Sequence, residues 1–226
     1  MSLLDGLVAY WKFDEGSGTT AADATGGGLD LTASGSSWDS SGLINAGAAI
    51  GSSSNYGGAV FSSDAVSYAP PYTLNFWIKE KETGQKNFSG AFSSGGNSSS
   101  NFQLMSDGSG NLTYQGAATI AFGPESTSWI MLTLAVDESG NVQTYYSGVA
   151  ANSGTDSYTT INNFYVGRNR GLNFYLYATF DEMGFWSRVL SADEISDLYN
   201  GGSGLSHGDF GGGASMHPRS FGLIVG

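Results

Sequence analysis

Alternation of apolar and polar residues predicts β-strands along most of the chain. The clearest run is 72–79, in which Leu74, Phe76 and Ile78 share one face and the residues between them take the other. Residues 129–136 show the same alternation. Strands with one apolar face must bury that face against another layer, so these two runs predict the centre of a β-protein.

Shorter apolar runs predict further strands, at residues 7–13, 29–31, 43–50, 59–61, 102–105, 112–114, 142–146, 164–167 and 174–180. The run 7–13 is apolar on both faces and is therefore predicted to be central. Turn-forming residues at 106–111 and 137–141 predict two hairpins. The Ser, Gly and Asn tract at 90–101 predicts a long loop. The predicted core consists of Trp11, Phe13, Leu74, Phe76, Ile78, Leu132, Leu134 and Phe180.

Residues 179–186 predict a buried strand that carries two adjacent acidic residues. On a regular strand, Phe180 and Glu182 point to one face and Asp181 to the other. Each face of a buried strand then receives one carboxylate, and each carboxylate needs a partner.

A short helix is predicted to follow this strand. Ser191 can cap its N-terminus, and Glu194 can reach back to the cap as in a capping box. Ile195 and Leu198 lie on one apolar stripe together with Tyr199. The glycines that follow, at 201–202, end the helix.

The two ends of this pattern resemble a known family. Residues 6–19, Gly-Leu-Val-Ala-Tyr-Trp-Lys-Phe-Asp-Glu-Gly-Ser-Gly-Thr, and residues 180–200, which begin Phe-Asp-Glu-Met-Gly-Phe-Trp-Ser-Arg, are similar to the opening and closing segments of the laminin G-like branch of the concanavalin A-like lectin/glucanase superfamily. The resemblance implies an all-β fold, an antiparallel β-sandwich of jelly-roll type with one short C-terminal helix and an extended tail. It divides the chain into a laminin G-like sandwich, residues 1–202, and a Gly-rich C-terminal docking tail, residues 203–226.

Composition supports short strands joined by tight turns and filled by aromatic residues. The 226 residues include 35 glycines, 13 Phe, 12 Tyr and 5 Trp, and no cysteine. The net charge of −12 argues against nucleic acid or an anionic membrane as a main partner. The first residues lack the basic and apolar regions of a secretory signal, and no apolar run predicts a transmembrane span.

The sequence does not favour an enzyme. Glycosidases of this superfamily need two carboxylates on one face, and a Glu-x-Asp-x-Glu strand that would supply them is absent. The only histidines, His207 and His217, lie in the tail, which disfavours a nucleophilic triad and a zinc site.

Calcium is the one cofactor that the resemblance implies, because laminin G-like domains often bind it through loop carboxylates and backbone carbonyls. Asp181 is the candidate metal ligand. A buried carboxylate that accepts several N–H groups needs no ion, and the residues favour this second interpretation. No cofactor is therefore predicted to be required, and Ca²⁺ binding stays open.

Sugar binding would use aromatic residues on an exposed face. The candidates by strand parity are Trp77, Tyr145, Tyr165, Tyr175 and Tyr177. The alternative is that these rings pack against the sheets and their loops.

The Gly-rich tail ends in an apolar peptide that needs a partner to become ordered. We expect residues 203–226 to dock outside their own sandwich through His217 and the apolar anchors Phe221, Leu223, Ile224 and Val225. This favours a non-enzymatic decoration protein on a bacteriophage virion surface, in a capsid or tail, that contacts other virion proteins and host-surface glycans. We expect a homo-oligomer or part of a hetero-assembly. The alternative is a lectin-like carbohydrate-binding module, with or without a requirement for calcium, at an extracellular or cell surface.

Overall fold

The computed structural model describes residues 1–35, 37–51, 60–96 and 98–211. Within these residues the strands form two antiparallel sheets that pack face to face. The first sheet contains β1 (Leu7–Trp11), β4 (Ser37–Asp39), β5 (Gly47–Ile50), β7 (Tyr72–Glu80), β12 (Ile130–Val136), β13 (Asn141–Tyr146), β14 (Val149–Thr155) and β16 (Ala178–Trp186). The second contains β2 (Thr20–Ala21), β3 (Leu31–Ser34), β6 (Val60–Ser62), β8 (Gly90–Ser93), β9 (Gln103–Ser106), β10 (Asn111–Gln115), β11 (Thr119–Pro124) and β15 (Tyr165–Val166).

The strand order fixes which elements are neighbours. The first sheet runs β14-β13-β12-β7-β16-β5-β4, and the second runs β11-β10-β9-β8-β15-β6-β3-β2. In the first sheet, β5 pairs with the first half of β16 and β1 with its second half. The predicted antiparallel sandwich is confirmed.

Two local predictions are wrong for identifiable reasons. The first residues of the tract predicted as a loop form β8, an inner strand of the second sheet, because Gly90 lets the backbone at Asn169 pack directly on it and Phe92 enters the core. β1 pairs with β16 alone among the named strands, so it is not central. It is apolar on both faces because both of its faces are covered.

The apolar core lies between the sheets and includes every predicted core residue. Each of the eight is 1% exposed or less. Three members of β16, namely Phe180, Met183 and Phe185, point into this core. Since Phe180 and Met183 are three residues apart, the strand cannot be regular between them.

A β-bulge explains this change of parity. Asp181 lies opposite Trp77, whereas Gly184 lies opposite Asn75, so β16 has one extra residue at this point. Glu182 takes up the irregularity with a φ of 46°. The prediction that Asp181 and Glu182 point to opposite faces is therefore wrong, because the bulge turns both carboxyl groups away from the inter-sheet core.

The predicted helix is α1 (Ala192–Tyr199), followed by 3₁₀ turns at Asn200–Gly202 and His207–Asp209. The capping box between Ser191 and Glu194 is present in both directions. Arg188 holds the Glu194 carboxylate at 2.6 Å, which fixes the helix start against the end of β16. No helix in the described part of the chain is long and apolar enough to cross a membrane.

A second apolar cluster covers the outer face of the first sheet. It joins residues of the N-terminus, α1 and the first part of the tail, including Tyr10, Trp186 and Phe210. Phe210 is 5% exposed and packs against the rings of Tyr10 and Trp186, at centroid distances of 5.2 and 6.2 Å. The expectation that the tail docks outside its own sandwich is thus wrong for residues 203–211, because Phe210 is buried against rings of its own domain and Leu205 packs on the same cluster.

The rest of that expectation lies outside the described residues. It concerns His217, Phe221, Leu223, Ile224 and Val225. Their docking on a partner stays a prediction.

Truncating a core aromatic tests the packing. We expect Phe76→Ala to lower the free energy of unfolding by about 3 to 5 kcal/mol, because it removes a buried ring and leaves a cavity. Denaturant unfolding measures the loss. Val149→Ala on exposed β14 is the control and should change stability by at most about 0.5 kcal/mol. Equal stability of Phe76→Ala and the parent would contradict the core assignment.

Candidate functional site

Asp181 is held by backbone amides of the connection between β4 and β5. The amides of Leu43 and Ile44 donate to its Oδ2 at 2.7 and 2.9 Å, and the amide of Glu182 donates to Oδ1 at 2.9 Å. Gly42 passes so close that an added Cβ would lie 2.8 Å from Oδ2 and 1.9 Å from the Ala46 carbonyl oxygen. This connection therefore requires both the carboxylate and the glycine.

The prediction that Asp181 is a buried hydrogen-bond centre is confirmed. Burial raises its pKa to about 8, and the neighbouring Glu182 adds to the rise while the amides of Ile44 and Leu43 oppose it. Its three hydrogen bonds occupy the carboxylate within the fold. Among the described residues, no three acidic or histidine side chains are grouped to hold a metal ion.

Removing the Asp181 carboxylate should destabilise the fold with or without calcium. We expect Asp181→Ala to cost roughly 1 to 3 kcal/mol in unfolding free energy, because the buried amides of Leu43 and Ile44 lose their acceptor. The comparison is made in chelator, with Asp197→Ala on the exposed side of α1 as control. A loss that disappears when calcium is removed from both proteins would instead identify Asp181 as a calcium ligand.

Glu182 differs sharply from its neighbour. Its side chain is 1% exposed, and neither carboxylate oxygen has a hydrogen-bond partner among the described residues. The Tyr10 hydroxyl lies close to it, but by geometry that hydroxyl donates to the Leu205 carbonyl oxygen at 3.3 Å. Burial raises the pKa of Glu182 to about 7.

A row of polar side chains crosses the outer face of the second sheet. Its members lie directly opposite one another on successive strands, from β2 to β11: Thr20, Thr32, Ser62, Tyr165, Ser93, Gln103, Gln115 and Thr119. Their sequence neighbours Leu31, Phe61, Val166, Phe92, Leu104 and Tyr114 point into the core, so the row faces outward. Seven strand spacings of about 4.8 Å give it a length of roughly 34 Å. The row carries hydroxyl and amide groups and no carboxyl group.

The segment 167–176 crosses part of this face. Above Gly90, a Cβ atom would lie 2.1 Å from the backbone nitrogen of Asn169. The Arg170 amide donates to Gln103 Oε1 at 2.9 Å, and Gln103 Nε2 donates to Gln115 Oε1 at 2.7 Å. The crossing segment covers Ser93 and Gln103 in the middle of the row and leaves the two flanks accessible.

Tyr165 and two arginines form the centre of the face. The Arg168 guanidinium lies 3.9 Å from the centroid of the half-buried Tyr165 ring. Arg170 donates to the carbonyl oxygens of Asn101 and Ser99, at 2.6 and 3.4 Å.

Neither arginine forms an ion pair within the described ranges. Beside the Tyr165 ring, Arg168 Nε and Ser93 Oγ are buried polar atoms that have no hydrogen-bond partner in the described part of the chain. Both atoms are buried, and Ser93 lies under the crossing segment, so a ligand on this face would meet the half-buried Tyr165 ring and the accessible hydroxyl and amide groups of the two flanks. We call Tyr165, Arg168, Arg170 and the polar row the second-sheet face.

The aromatic residues proposed for sugar binding do not come together. Trp77 is 2% exposed and stacks on Tyr199 at 5.6 Å, so the proposal for Trp77 is wrong because α1 covers its ring. Tyr145 packs at the edge of the same outer cluster of the first sheet. Tyr175 pairs with Gly90 on the crossing segment, and Tyr177 follows it, with its amide donating to Gln85 Oε1 at 2.8 Å.

The sequence matches the model of one known superfamily. The model of the concanavalin A-like lectin/glucanases superfamily matches residues 52–196. The chain belongs to this superfamily. No curated protein matches the sequence.

Solved structures with the same fold include several binding domains. Domain 4 of AbnA, a GH43 extracellular arabinanase from Geobacillus stearothermophilus, in complex with arabinotriose, is 19% identical, with a TM-score of 0.66, over 85% of this chain and 98% of that domain. The receptor-binding domain of botulinum neurotoxin D is 16% identical, with a TM-score of 0.66, over 88% of this chain and 53% of that one. The binding domain of Paraclostridial Mosquitocidal Protein 1 is 15% identical, with a TM-score of 0.63, over 87% and 52%.

This chain thus covers about half the length of the toxin chains that it matches and nearly all of the arabinanase domain. At these identities the likeness establishes the fold.

Proposed function

We propose that this domain is a non-catalytic carbohydrate-binding module and that its ligand lies across the second-sheet face. The observation that carries the proposal is the outward row of hydroxyl and amide side chains in register, with Tyr165 between its two flanks. Sugars offer many hydroxyl groups and an apolar ring face, and such a row offers hydrogen bonds beside an aromatic ring.

The absence of carboxyl groups from the row favours binding over catalysis. Glycoside hydrolysis needs two carboxyl groups on either side of the bond that breaks. The buried Asp181 and Glu182 belong to the first sheet, and so they cannot reach a ligand on the second.

The two arginines favour a sugar that carries a carboxylate. They are cations without an acidic partner among the described residues, on a chain whose net charge is −12. A carboxylate next to Arg168 and Arg170 would form charge-assisted hydrogen bonds. Acidic residues that lie more than about 8 Å from such a sugar carboxylate would repel it little, because salt screens charges beyond that distance at physiological ionic strength.

The comparisons support binding more than assembly. The arabinanase domain, which this chain matches almost end to end, is described in complex with arabinotriose, and the toxin relatives are named as binding domains. The virion interpretation has no comparable support, and the residues it depends on lie outside the described part of the chain. Location on a virion, or at another extracellular surface, stays an expectation.

Glycan binding can be tested with an array that contains neutral arabino-oligosaccharides and matched oligosaccharides of uronic and sialic acids. We expect binding in the presence of chelator, with carboxylated sugars bound more tightly than neutral ones. Calorimetry on the best ligand should show that Tyr165→Ala weakens binding by at least about fivefold, since the ring contact contributes about 1 kcal/mol.

The matched control is Tyr145→Ala, a half-buried tyrosine on the outer face of the other sheet. It should leave the affinity unchanged, and thermal melts confirm that both variants are folded. Absence of glycan binding by the parent, or equal weakening by both variants, would contradict the proposal.

A further inference from the structure

Residues 203–210, which we call the strap, are attached to the outer face of the first sheet largely through Tyr10. The Tyr10 hydroxyl donates to the Leu205 carbonyl oxygen at 3.3 Å. The ring of Tyr10 stacks on His207 at a centroid distance of 5.4 Å and meets Phe210 edge-on at 5.2 Å. No residue of the strap belongs to a β-strand. The strap therefore depends on side-chain contacts, and Tyr10 supplies three of them.

Glu182 lies beside Tyr10 on the same outer face. In the pairing of β1 with β16, Trp11 lies opposite Met183, and both of these side chains enter the core. Tyr10 and Glu182 each come one position earlier on their own strands, so they are diagonal neighbours on the other side of the sheet. The Tyr10 hydroxyl is within reach of the Glu182 carboxyl group as well as of the Leu205 carbonyl oxygen.

One hydroxyl group is thus shared between two acceptors. The tyrosine hydroxyl has one proton and donates one hydrogen bond at a time. It donates to Leu205, and both oxygens of Glu182 are buried without a hydrogen-bond partner in the described part of the chain. A buried carboxyl group without a partner is far more favourable as the neutral acid than as the anion. The anion would be the stronger acceptor for the hydroxyl, because charge-assisted hydrogen bonds are roughly twice as strong as neutral ones.

We propose that Glu182 is a proton-controlled release for the strap: the neutral acid leaves Tyr10 bonded to Leu205, and the ionised form takes the Tyr10 hydroxyl and loosens residues 203–210. Opening of the strap uncovers the rings of Tyr10 and Trp186, against which Phe210 packs in the docked form. This device belongs to the first sheet, so it is independent of carbohydrate binding on the second-sheet face.

The other charged groups near Glu182 fix the direction of the effect. Asp14, which follows β1, and Asp209 in the strap both oppose its ionisation. An ionised Glu182 also acts against the charge of Asp181 beside it in β16. Lys12 is the one cation among the groups that act on it. Because Asp209 belongs to the strap, its repulsion from ionised Glu182 adds to the loss of the hydrogen bond.

The pH dependence of docking follows from the burial of Glu182. Burial raises the pKa of Glu182 to about 7. The docked strap therefore favours the protonated acid. The contribution of Glu182 to docking is complete below the pKa of a solvated glutamate, about 4.3, and is lost as the pH rises through the raised pKa.

Two neighbouring groups titrate differently. Burial and the charge of Lys12 lower the pKa of His207, so protonation of His207 opposes docking in acid. Burial raises the pKa of Tyr10 well above its usual value, so its hydroxyl keeps its proton at neutral pH.

Amide hydrogen exchange in the full chain tests the release. The amides of Asp209 and Phe210 report opening of the strap, once the rates are corrected for intrinsic exchange at each pH. We expect the opening constant of the parent, divided by that of Glu182→Gln, to rise at least about fivefold from pH 5.5 to 8.0. Full return of the opened Glu182 to its ordinary pKa would give about 30-fold. His207 is common to both proteins, so the ratio isolates Glu182. Glu138→Gln, on an exposed hairpin, should follow the parent.

Tyr10→Phe separates a release from a merely structural contact. At pH 5.5 it should raise the opening constant by about fivefold, the factor expected for one net hydrogen bond. At pH 8.0 its effect should be much smaller, because the hydroxyl has already left Leu205. A ratio of parent to Glu182→Gln that does not change with pH would overturn the proposal, and so would an equal effect of Tyr10→Phe at both pH values.

A direct titration covers the case in which Glu182→Gln does not fold. The side-chain carboxyl carbon of Glu182, followed by ¹³C NMR in the full chain, should titrate with a midpoint near 7. Phe210→Ala, which loosens the strap, should lower that midpoint. A parent midpoint near the ordinary glutamate value of about 4.3 would contradict the proposal, as would a midpoint that Phe210→Ala leaves unchanged.

Discussion

The hydrogen bonds from the Leu43 and Ile44 amides to Asp181 are the contact on which the rest of the first sheet depends. They fix the connection that delivers β5 to one half of β16, while β1 pairs with the other half beyond the bulge. Phe180 and Phe185 are five positions apart and would lie on opposite faces of a regular strand. The bulge between them lets both side chains enter the core. The buried carboxylate therefore lies at the point where β5, β16 and β1 come together.

Much of this fold is predictable because its signals are local. The alternation in 72–79, the hairpins closed by Asp107 and Asp137, and the capping box of Ser191 each depend on residues within a few positions of one another. β8 and β14 escape prediction because they consist largely of small residues, so only pairing with a neighbouring strand identifies them as strands.

The candidate site was much less predictable, because its geometry arises from register. Gln103 and Tyr165 are far apart in the chain and become members of one row only when β8 is placed between β9 and β15. Trp77 looked suitable for sugar binding by parity, but α1 lies on that face and buries it. The unsatisfied state of Glu182 was equally hidden, because it follows from a bulge that no local pattern marks.

The two outer faces of the sandwich thus differ in exposure: the first is covered by α1, the N-terminus and residues 203–210, and the second leaves polar side chains accessible. An NMR titration of ¹⁵N-labelled protein with the oligosaccharide selected on the array tests this division most directly. The account predicts amide shifts in Thr32, Tyr165 and Gln115, with those of Trp77 and Tyr145 unchanged. Shifts concentrated around Trp77 and α1, with the second-sheet face unchanged, would contradict it.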